Sequence, residues 1–469
     1  MSEVNEARRR TRGWRTPGEM TLRDTDDDRF SRWGNRLSWL LVPLAAGMQL
    51  VWLRRPITVG GVTMTLELPL FGLLALIAAP WAWVRIRTMD RCVQVLAGAF
   101  AALVAYALAT IAWHASPVVE TSLFTTVPKT YLVVPLVTAL AAMAAGLGLA
   151  LAADRRRLPV VLTWSAAALL GAGLVAWPRQ APVHRSVRLA TALGGSATIH
   201  LVFLLVAAVG LGWYLRSREE MAEPSRAVSL SWPAWPGLAL AVLGVAGILA
   251  TGSRGGMLAL AAWVVLLVGR SLLTGARGRQ GRPGRLWPWL ALAGAGVAVV
   301  VLVPSLRRLV SLSDPLREQN LISALSWWTR DWQTVVFGAG SGQVWPWFAI
   351  DSGLVAAPGE RMVPTPAGQV LLSPHSTLLA VVVELGLVGA LLAGVMVAAL
   401  GWLAVRTRRD GFTAPLALAL VAGLVAFLFD TYLLKEPGNA FWWWLAAGAV
   451  AVCSLPDRQA ASSSTVNPR

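Results

Sequence analysis

The chain has 469 residues, of which 56% are hydrophobic and only 14% are charged, and its mean hydropathy is +0.59. Soluble domains carry roughly 25% charged residues, so this composition excludes a soluble globular protein. The net charge of +17 does not indicate nucleic-acid binding, because basic residues in a membrane protein chiefly determine its topology. Four scattered histidines and two cysteines predict neither a metal centre nor a disulfide framework.

Apolar segments alternate with short polar ones along most of the chain, and each can cross a hydrocarbon core of roughly 30 Å. Twelve spans are predicted, at 38–53, 68–84, 93–113, 131–153, 158–177, 197–215, 233–250, 257–273, 286–303, 377–403, 413–433 and 439–455. The expected fold class is therefore an all-α, polytopic membrane bundle of about twelve transmembrane helices.

The predicted spans divide the chain into five regions. A polar, flexible tail at 1–37 precedes nine spans at 38–303, and a long loop follows at 304–376. The last three spans occupy 377–455, and a short tail occupies 456–469. Arginines beside the first span are expected to touch the headgroups of membrane lipids. Because loop length concentrated in one place usually carries function, the long loop is the first place to look for a site.

Basic residues lie mostly on one side of the predicted membrane. If the amino terminus is cytoplasmic, the cytoplasmic segments hold 28 lysines and arginines and the opposite side holds the remaining 13 of the 41. Short loops such as Arg155–Arg157 are strongly basic. This asymmetry predicts that both termini are cytoplasmic and that the long loop is extracytoplasmic. Arginine greatly outnumbers lysine, which suggests a bacterial chain in the cytoplasmic, or inner, membrane.

A glycine-rich turn joins two of the predicted spans. It contains Ser253 and Arg254, followed directly by Gly255 and Gly256. Glycine allows a backbone to approach a ligand closely, and a guanidinium group can bind phosphate through two hydrogen bonds. The alternative is that Arg254 extends to the membrane interface while the glycines form a simple hairpin turn.

The long loop contains a predicted amphipathic helix. Asp314 and Pro315 are typical of a helix N-cap and first helical residue. Four apolar residues then recur at helical spacing: Leu321, Leu325, Trp328 and Trp332. Such a helix would lie on the membrane or on the bundle, with its apolar face used for packing. Arg317 in its first turn is either a ligand for an anion or a solvated surface charge.

Two further features of the loop region carry possible chemistry. Gly338 and Gly340 form a Gly-x-Gly run that either exposes N–H groups to phosphate or makes a flexible turn. His375 and Ser376 precede the tenth span, where the histidine is either a general base or a helix cap. Glu384, within that span, must face the bundle interior or a polar cavity, because a charge in lipid is costly.

Asp430 is a second ionisable residue within a predicted span, the eleventh. Its proximity in sequence to Lys435 favours a structural ion pair near the outer face.

The residues around His375 resemble a motif of the O-antigen ligase and polymerase family. In that family a histidine is followed by asparagine, serine or glutamine, then by nine residues, a glycine, two residues, and a glycine, threonine or tyrosine. The same spacing occurs here in His375, Ser376, the nine residues 377–385, Gly386 and Gly389.

Two other elements are similar to the same family. An arginine, three intervening residues and a leucine are matched by Arg254 and Leu258, and an arginine some twenty residues before a Gly-x-Gly run is matched by Arg317 and Gly338. The alternatives for this second arginine are Arg307, Arg308 and Arg330. The motif resemblance covers roughly residues 245–400, and the twelve-span topology resembles the family over the whole chain.

The resemblance implies a GT-C-like, metal-independent, inverting glycosyltransferase without a cofactor. Its donor would be a glycan linked to undecaprenyl diphosphate, and its acceptor would be a hydroxyl of a glycolipid or a cell-wall glycan. Arg254 and Arg317 would hold the diphosphate, and His375 would orient or deprotonate the acceptor. Five further residues are expected to contact substrate: Ser253, Gly338, Gly340, Ser376 and Glu384.

Three alternatives to a ligase remain open at this stage. A polysaccharide polymerase would carry the same motifs. A transporter or flippase of lipid-linked glycans would need a coupling acidic residue in the membrane, for which Glu384 is the clear candidate. A non-catalytic scaffold would leave the charged loop residues interchangeable.

Overall fold

The computed structural model describes residues 32–86, 89–115, 128–184, 188–222, 233–275, 315–345, 374–407 and 410–454. These residues form an almost entirely helical bundle with one small antiparallel hairpin. The helices are α1 Leu41–Leu50, α2 Glu67–Arg85, α3 Arg91–Trp113, α4 Lys129–Ala152, α5 Leu158–His184, α6 His200–Ala222, α7 Trp235–Thr251, α8 Arg254–Gly275, α9 Pro315–Trp328, α10 Trp332–Phe337, α11 Thr377–Arg406, α12 Thr413–Ala426 and α13 Pro437–Cys453. The hairpin pairs β1 Pro56–Val59 with β2 Val62–Thr65, with Val59 opposite Val62.

Seven of these helices are long and apolar enough to cross a membrane: α2, α3, α4, α5, α6, α8 and α11. Helices α7 and α12 are also apolar but have only 17 and 14 residues. The protein is therefore an all-α, multi-pass membrane protein. The ten-residue α1 lies within the first predicted span. The ninth predicted span, 286–303, lies outside the described residues. Of the two predicted tails, only residues 32–37 are described. The count of twelve spans stays a prediction.

The eleventh predicted span, 413–433, is too long by several residues. Helix α12 ends at Ala426, and the following segment leaves helical geometry to cap α11. The N–H of Thr377 donates to the carbonyls of Phe427 and Asp430, at 2.8 and 3.0 Å. These bonds satisfy a donor that the first turn of α11 leaves open. Leu433, in the same segment, has a positive φ of 63°. A hydropathy window did not separate this segment from the helix, because the apolar Phe427, Leu428 and Phe429 continue directly from α12.

Helix α13 lies at the centre of the bundle, and all 17 of its residues are buried. Close packing on α4 depends on a small residue, because a Cβ on Gly146 would lie 2.5 Å from the carbonyl oxygen of Phe441. Phe441 also stacks on Phe71 of α2, with ring centroids 5.3 Å apart. These contacts form the interior of the bundle, and α13 also packs against α6 and α12.

Helix α11 is interrupted at Gly386, whose φ of 64° and ψ of −161° are not helical. In a continuous helix the carbonyls of Val383 and Glu384 would accept bonds from N–H groups four residues later. Here they accept bonds from the N–H groups of Ala339 and Gly340, at 2.9 and 3.0 Å. The segment after α10 is therefore docked into the interruption of a membrane-spanning helix, which fixes the position of α9 and α10 at this end of the bundle.

Candidate functional site

One cavity brings the sequence-predicted arginines and histidine together. Its volume is about 370 Å³. The described residues that line it are Arg254, Arg317, Glu318, Asn320, Leu321, Pro374, His375, Ser376, Leu379, Leu428 and Phe429. These residues come from the start of α8, the first turns of α9, the start of α11 and the segment after α12. Four of the eight residues assigned to the site from sequence therefore line one space.

Arg254 reaches the cavity from a tight turn between α7 and α8. Gly252 ends α7 in the left-handed conformation, with φ of 59°, which glycine adopts without a steric penalty. Ser253 then caps α8, because its hydroxyl accepts the N–H of Gly256 at 3.3 Å. A Cβ on Gly256 would lie only 2.7 Å from the ring of His200. The glycines therefore allow the first turn of α8 to pack against α6. Arg254 is the first residue of α8.

Arg317 is held in the first turn of α9, which begins at Pro315 as predicted. Its guanidinium group donates to the carbonyl of Phe429 at 3.3 Å, which connects α9 to the segment after α12. One turn further, Asn320 is 2% exposed. It accepts the indole N–H of Trp345 at 3.0 Å and donates to the carbonyl of Pro374 at 3.4 Å. Asn320 thus connects the helix that carries Arg317 to the residue before His375.

His375 has a positive φ of 49°, an uncommon conformation for a residue other than glycine. Such a backbone costs of order 1–3 kcal/mol and is retained only where surrounding contacts enforce it, often at functional sites. Ser376 caps α11 by accepting the N–H of Leu379 at 3.2 Å, and it donates to the carbonyl of Phe427 at 3.4 Å. The helix cap is thus supplied by Ser376 and not by the histidine, which lines the cavity instead.

Asp430 lies behind the cavity and is 8% exposed. Its carboxylate interacts electrostatically with His375, Lys435 and Arg317. The sequence predicted only the pairing with Lys435. Asp430 is therefore an acidic residue beside both His375 and Arg317. Its one sequence signal was an ionisable side chain within an apolar segment.

Three helix amino termini converge on the cavity: those of α8, α9 and α11. Each carries a partial positive charge, and Ser253 and Ser376 already cap one N–H group of α8 and one of α11. Arg254 and Arg317 place two positive charges on the lining beside the acidic Glu318, and Asp430 behind the cavity is a second acidic residue. The two guanidinium groups that line the cavity can bind an anionic ligand, and phosphate groups are typical ligands of arginine and of helix amino termini.

The remaining wall of the cavity is apolar, formed by Leu321, Leu379, Leu428 and Phe429. Leu321 and Leu428 are 43% and 50% exposed, so this wall continues onto the surface of the protein. A cavity with cationic groups on one side and an open apolar wall on the other fits an amphiphile with an anionic head.

Part of the apolar face of α9 lies away from the bundle. Leu321 and Leu325, which were expected to lie on the membrane or on the bundle, are 43% and 37% exposed. The packed face contains Asn320, Ser323 and Ala324, all of which are buried. The physical reason is that Asn320 has two hydrogen-bond partners on the bundle, while the small Ala324 permits close approach to α11.

Four predicted substrate contacts have other roles in the structure. The N–H groups of Gly338 and Gly340 donate to the carbonyls of Thr334 and Glu384, so neither is available to bind phosphate, and that prediction is wrong. Ser253 is the cap of α8. The carboxylate of Glu384 is 7% exposed and accepts the N–H of Trp345 at 3.2 Å. The acidic side chain therefore faces the interior, as expected, where it organises the docked segment.

No protein-family model matches this chain, and no curated protein matches its sequence. Within the described ranges, no group of three or more histidine, cysteine, aspartate or glutamate residues is placed to hold a metal ion. The interpretation of the site therefore depends on its own geometry and on the motifs in its sequence.

Proposed function

We propose that this cavity binds the diphosphate of a lipid-linked glycan and that the protein transfers the glycan to an acceptor hydroxyl, as an O-antigen ligase-like glycosyltransferase. One observation carries the proposal: Arg254, Arg317 and His375 line a single cavity at three helix amino termini. These are the three residues to which the motif resemblance assigns the chemistry. The open apolar wall accommodates the first isoprene units of the donor.

The proposed reaction is a single displacement with inversion. The acceptor oxygen forms a bond to the anomeric carbon, and the bond from that carbon to the diphosphate oxygen breaks. The electron pair leaves with the diphosphate, where Arg254 and Arg317 stabilise the developing negative charge. The acceptor proton passes to His375, whose imidazolium form is stabilised by the carboxylate of Asp430. The arginine clamp performs the electrostatic task of this step without ATP.

The proposed topology has twelve spans in the cytoplasmic membrane, a GT-C-like architecture and both termini in the cytoplasm. The distribution of 28 basic residues against 13 supports this orientation. The cavity then opens on the outer side, where the donor is an undecaprenyl-diphosphate-linked glycan and the acceptor is a glycolipid or a cell-wall glycan. The outward apolar face of α9 would contact lipids of the outer leaflet.

The test measures the lipid-linked donor in cells that express single variants in place of the native protein. Arg254→Ala, Arg317→Ala and His375→Ala should each lower transfer by about 10²–10³-fold, the effect of removing one transition-state contact, and undecaprenyl-linked glycan should accumulate. Arg330→Ala is the matched control, because Arg330 is an exposed arginine between α9 and α10 that pairs with Asp331. Normal donor turnover in both cavity-arginine variants would refute the assignment of the site.

The interruption of α11 beside Glu384 favours a second candidate, a transporter or flippase of lipid-linked glycans, because discontinuous helices often form transport sites. Against it, the freed carbonyls of Val383 and Glu384 are occupied by protein N–H groups, which leaves them closed to an ion. The two candidates differ in one variant. A transporter would keep full activity in His375→Ala, whereas the transferase would lose it.

A further inference from the structure

A third arginine lies beside the turn that carries Arg254. The segment between α5 and α6 is fixed to the end of α7, because the N–H of Leu189 donates to the carbonyl of Ala250 at 2.9 Å. Leu189 is 1% exposed, whereas Arg188 next to it is exposed. The buried leucine and its backbone bond thus hold an exposed arginine at a defined place.

The side chain of Arg188 lies along Gly252. A Cβ built on Gly252 would be 3.4 Å from the Nε of Arg188 and 3.6 Å from its Cγ and Cδ. Gly252 is two residues before Arg254, and consecutive Cα atoms are about 3.8 Å apart. The Arg188 guanidinium is therefore within roughly 13 Å of the Cα of Arg254, on a different segment of the chain.

Three arginines from three segments, Arg188, Arg254 and Arg317, thus border one region of the molecule. Two of them line the cavity, whereas Arg188 is not a lining residue and is exposed. The lipid chain of a donor would follow the apolar wall, so its saccharide would extend out of the cavity. An exposed arginine beside the turn that carries Arg254 lies where a group outside the cavity can contact it.

We propose that Arg188 forms an anionic subsite that recognises a carboxylate on the saccharide of the donor, as in a uronic acid. This inference rests on the proposed function. The planar guanidinium matches a carboxylate through two parallel hydrogen bonds, which gives the subsite its chemical preference. Arg188 is a specificity-determining residue in this scheme and takes no part in bond cleavage.

The test uses the purified full-length chain in nanodiscs and three probes: undecaprenol, undecaprenyl diphosphate carrying N-acetylglucosamine, and undecaprenyl diphosphate carrying glucuronic acid. The native protein should bind the acidic sugar about 3–10-fold more tightly than the neutral sugar, the range of an exposed but well-aligned ion pair. Arg188→Gln should abolish this preference while leaving affinity for the neutral sugar within about twofold. Arg188→Lys should restore part of it, and Arg330→Gln, which also removes an exposed positive charge, should retain it.

Two negative outcomes can be told apart. Suppose that the native protein binds the two diphosphate probes with equal affinity, and both more tightly than undecaprenol. The subsite is then refuted and the proposed function is not. If neither diphosphate probe binds more tightly than undecaprenol, both are refuted. A preference for the acidic sugar that persists in Arg188→Gln would also overturn the assignment to Arg188.

Discussion

Replacing Gly386 with alanine should release the docked segment from α11. The φ of 64° and ψ of −161° belong to a region that is essentially restricted to glycine. The new Cβ would overlap the N atom of Gly338 and lie 2.5 Å from the carbonyl oxygen of Val336, and both are backbone atoms that cannot rotate away. The variant must therefore adopt helical geometry at residue 386 or displace the segment that follows α10.

The expected loss follows from these contacts. Backbone strain contributes of order 1–3 kcal/mol, and the two hydrogen bonds from Ala339 and Gly340 contribute about 1 kcal/mol each. The local free energy of docking should therefore fall by about 3–5 kcal/mol. Because 1.4 kcal/mol corresponds to a factor of ten, amide hydrogen exchange in the segment 338–345 should become faster by at least 100-fold.

The assay is hydrogen–deuterium exchange with mass spectrometry on the purified protein in detergent. Gly394→Ala is the matched control, because Gly394 lies in the same helix and a Cβ there meets nothing within 4 Å. That control should be neutral or stabilising by about 0.5–1 kcal/mol. Equal exchange rates at 338–345 in the two variants would refute the claim that Gly386 accommodates the docked segment.

Three further variants test individual contacts of the cavity. Asp430→Asn should fold normally but lower transfer by about tenfold or more, because the imidazolium of His375 loses its counter-charge; an unchanged rate would leave Asp430 with a structural role only. Asn320→Ala leaves the buried indole N–H of Trp345 without its partner, so the free energy of unfolding, measured by thermal unfolding, should fall by about 1–3 kcal/mol. A fall below about 0.5 kcal/mol would contradict a stabilising hydrogen bond between Asn320 and Trp345. Arg317→Lys retains the charge but not the planar pair of donors, so the rate of transfer should fall by about tenfold with unchanged stability, and full activity would show that charge alone suffices.

Local signals in the sequence predicted two backbone features beside the cavity. Pro315 does begin α9, and the glycine turn does present Arg254 at the start of α8. Each of these features depends on backbone preferences of a few neighbouring residues. Such preferences can be deduced from a sequence without knowledge of the tertiary fold.

Features that depend on distant partners could not be predicted in the same way. The face of α9 that packs on the bundle carries Asn320, which bonds to Trp345 and Pro374. The apolar pattern left open whether Leu321 and Leu325 face the bundle or the membrane. Gly338 and Gly340 resembled a phosphate-binding run, but their N–H groups bind carbonyl oxygens. Contacts between segments far apart in the chain decided both cases.

We expect the cavity at the starts of α8, α9 and α11 to be a site for a lipid diphosphate. The most direct test is equilibrium binding of undecaprenyl diphosphate and of undecaprenol to the purified full-length protein in nanodiscs. The native protein should bind the diphosphate at least tenfold more tightly than the alcohol, and Arg254→Ala and Arg317→Ala should each remove most of that difference, while Arg330→Ala should not. Equal affinity of the native protein for the two lipids, or an undiminished preference in both cavity variants, would contradict the account.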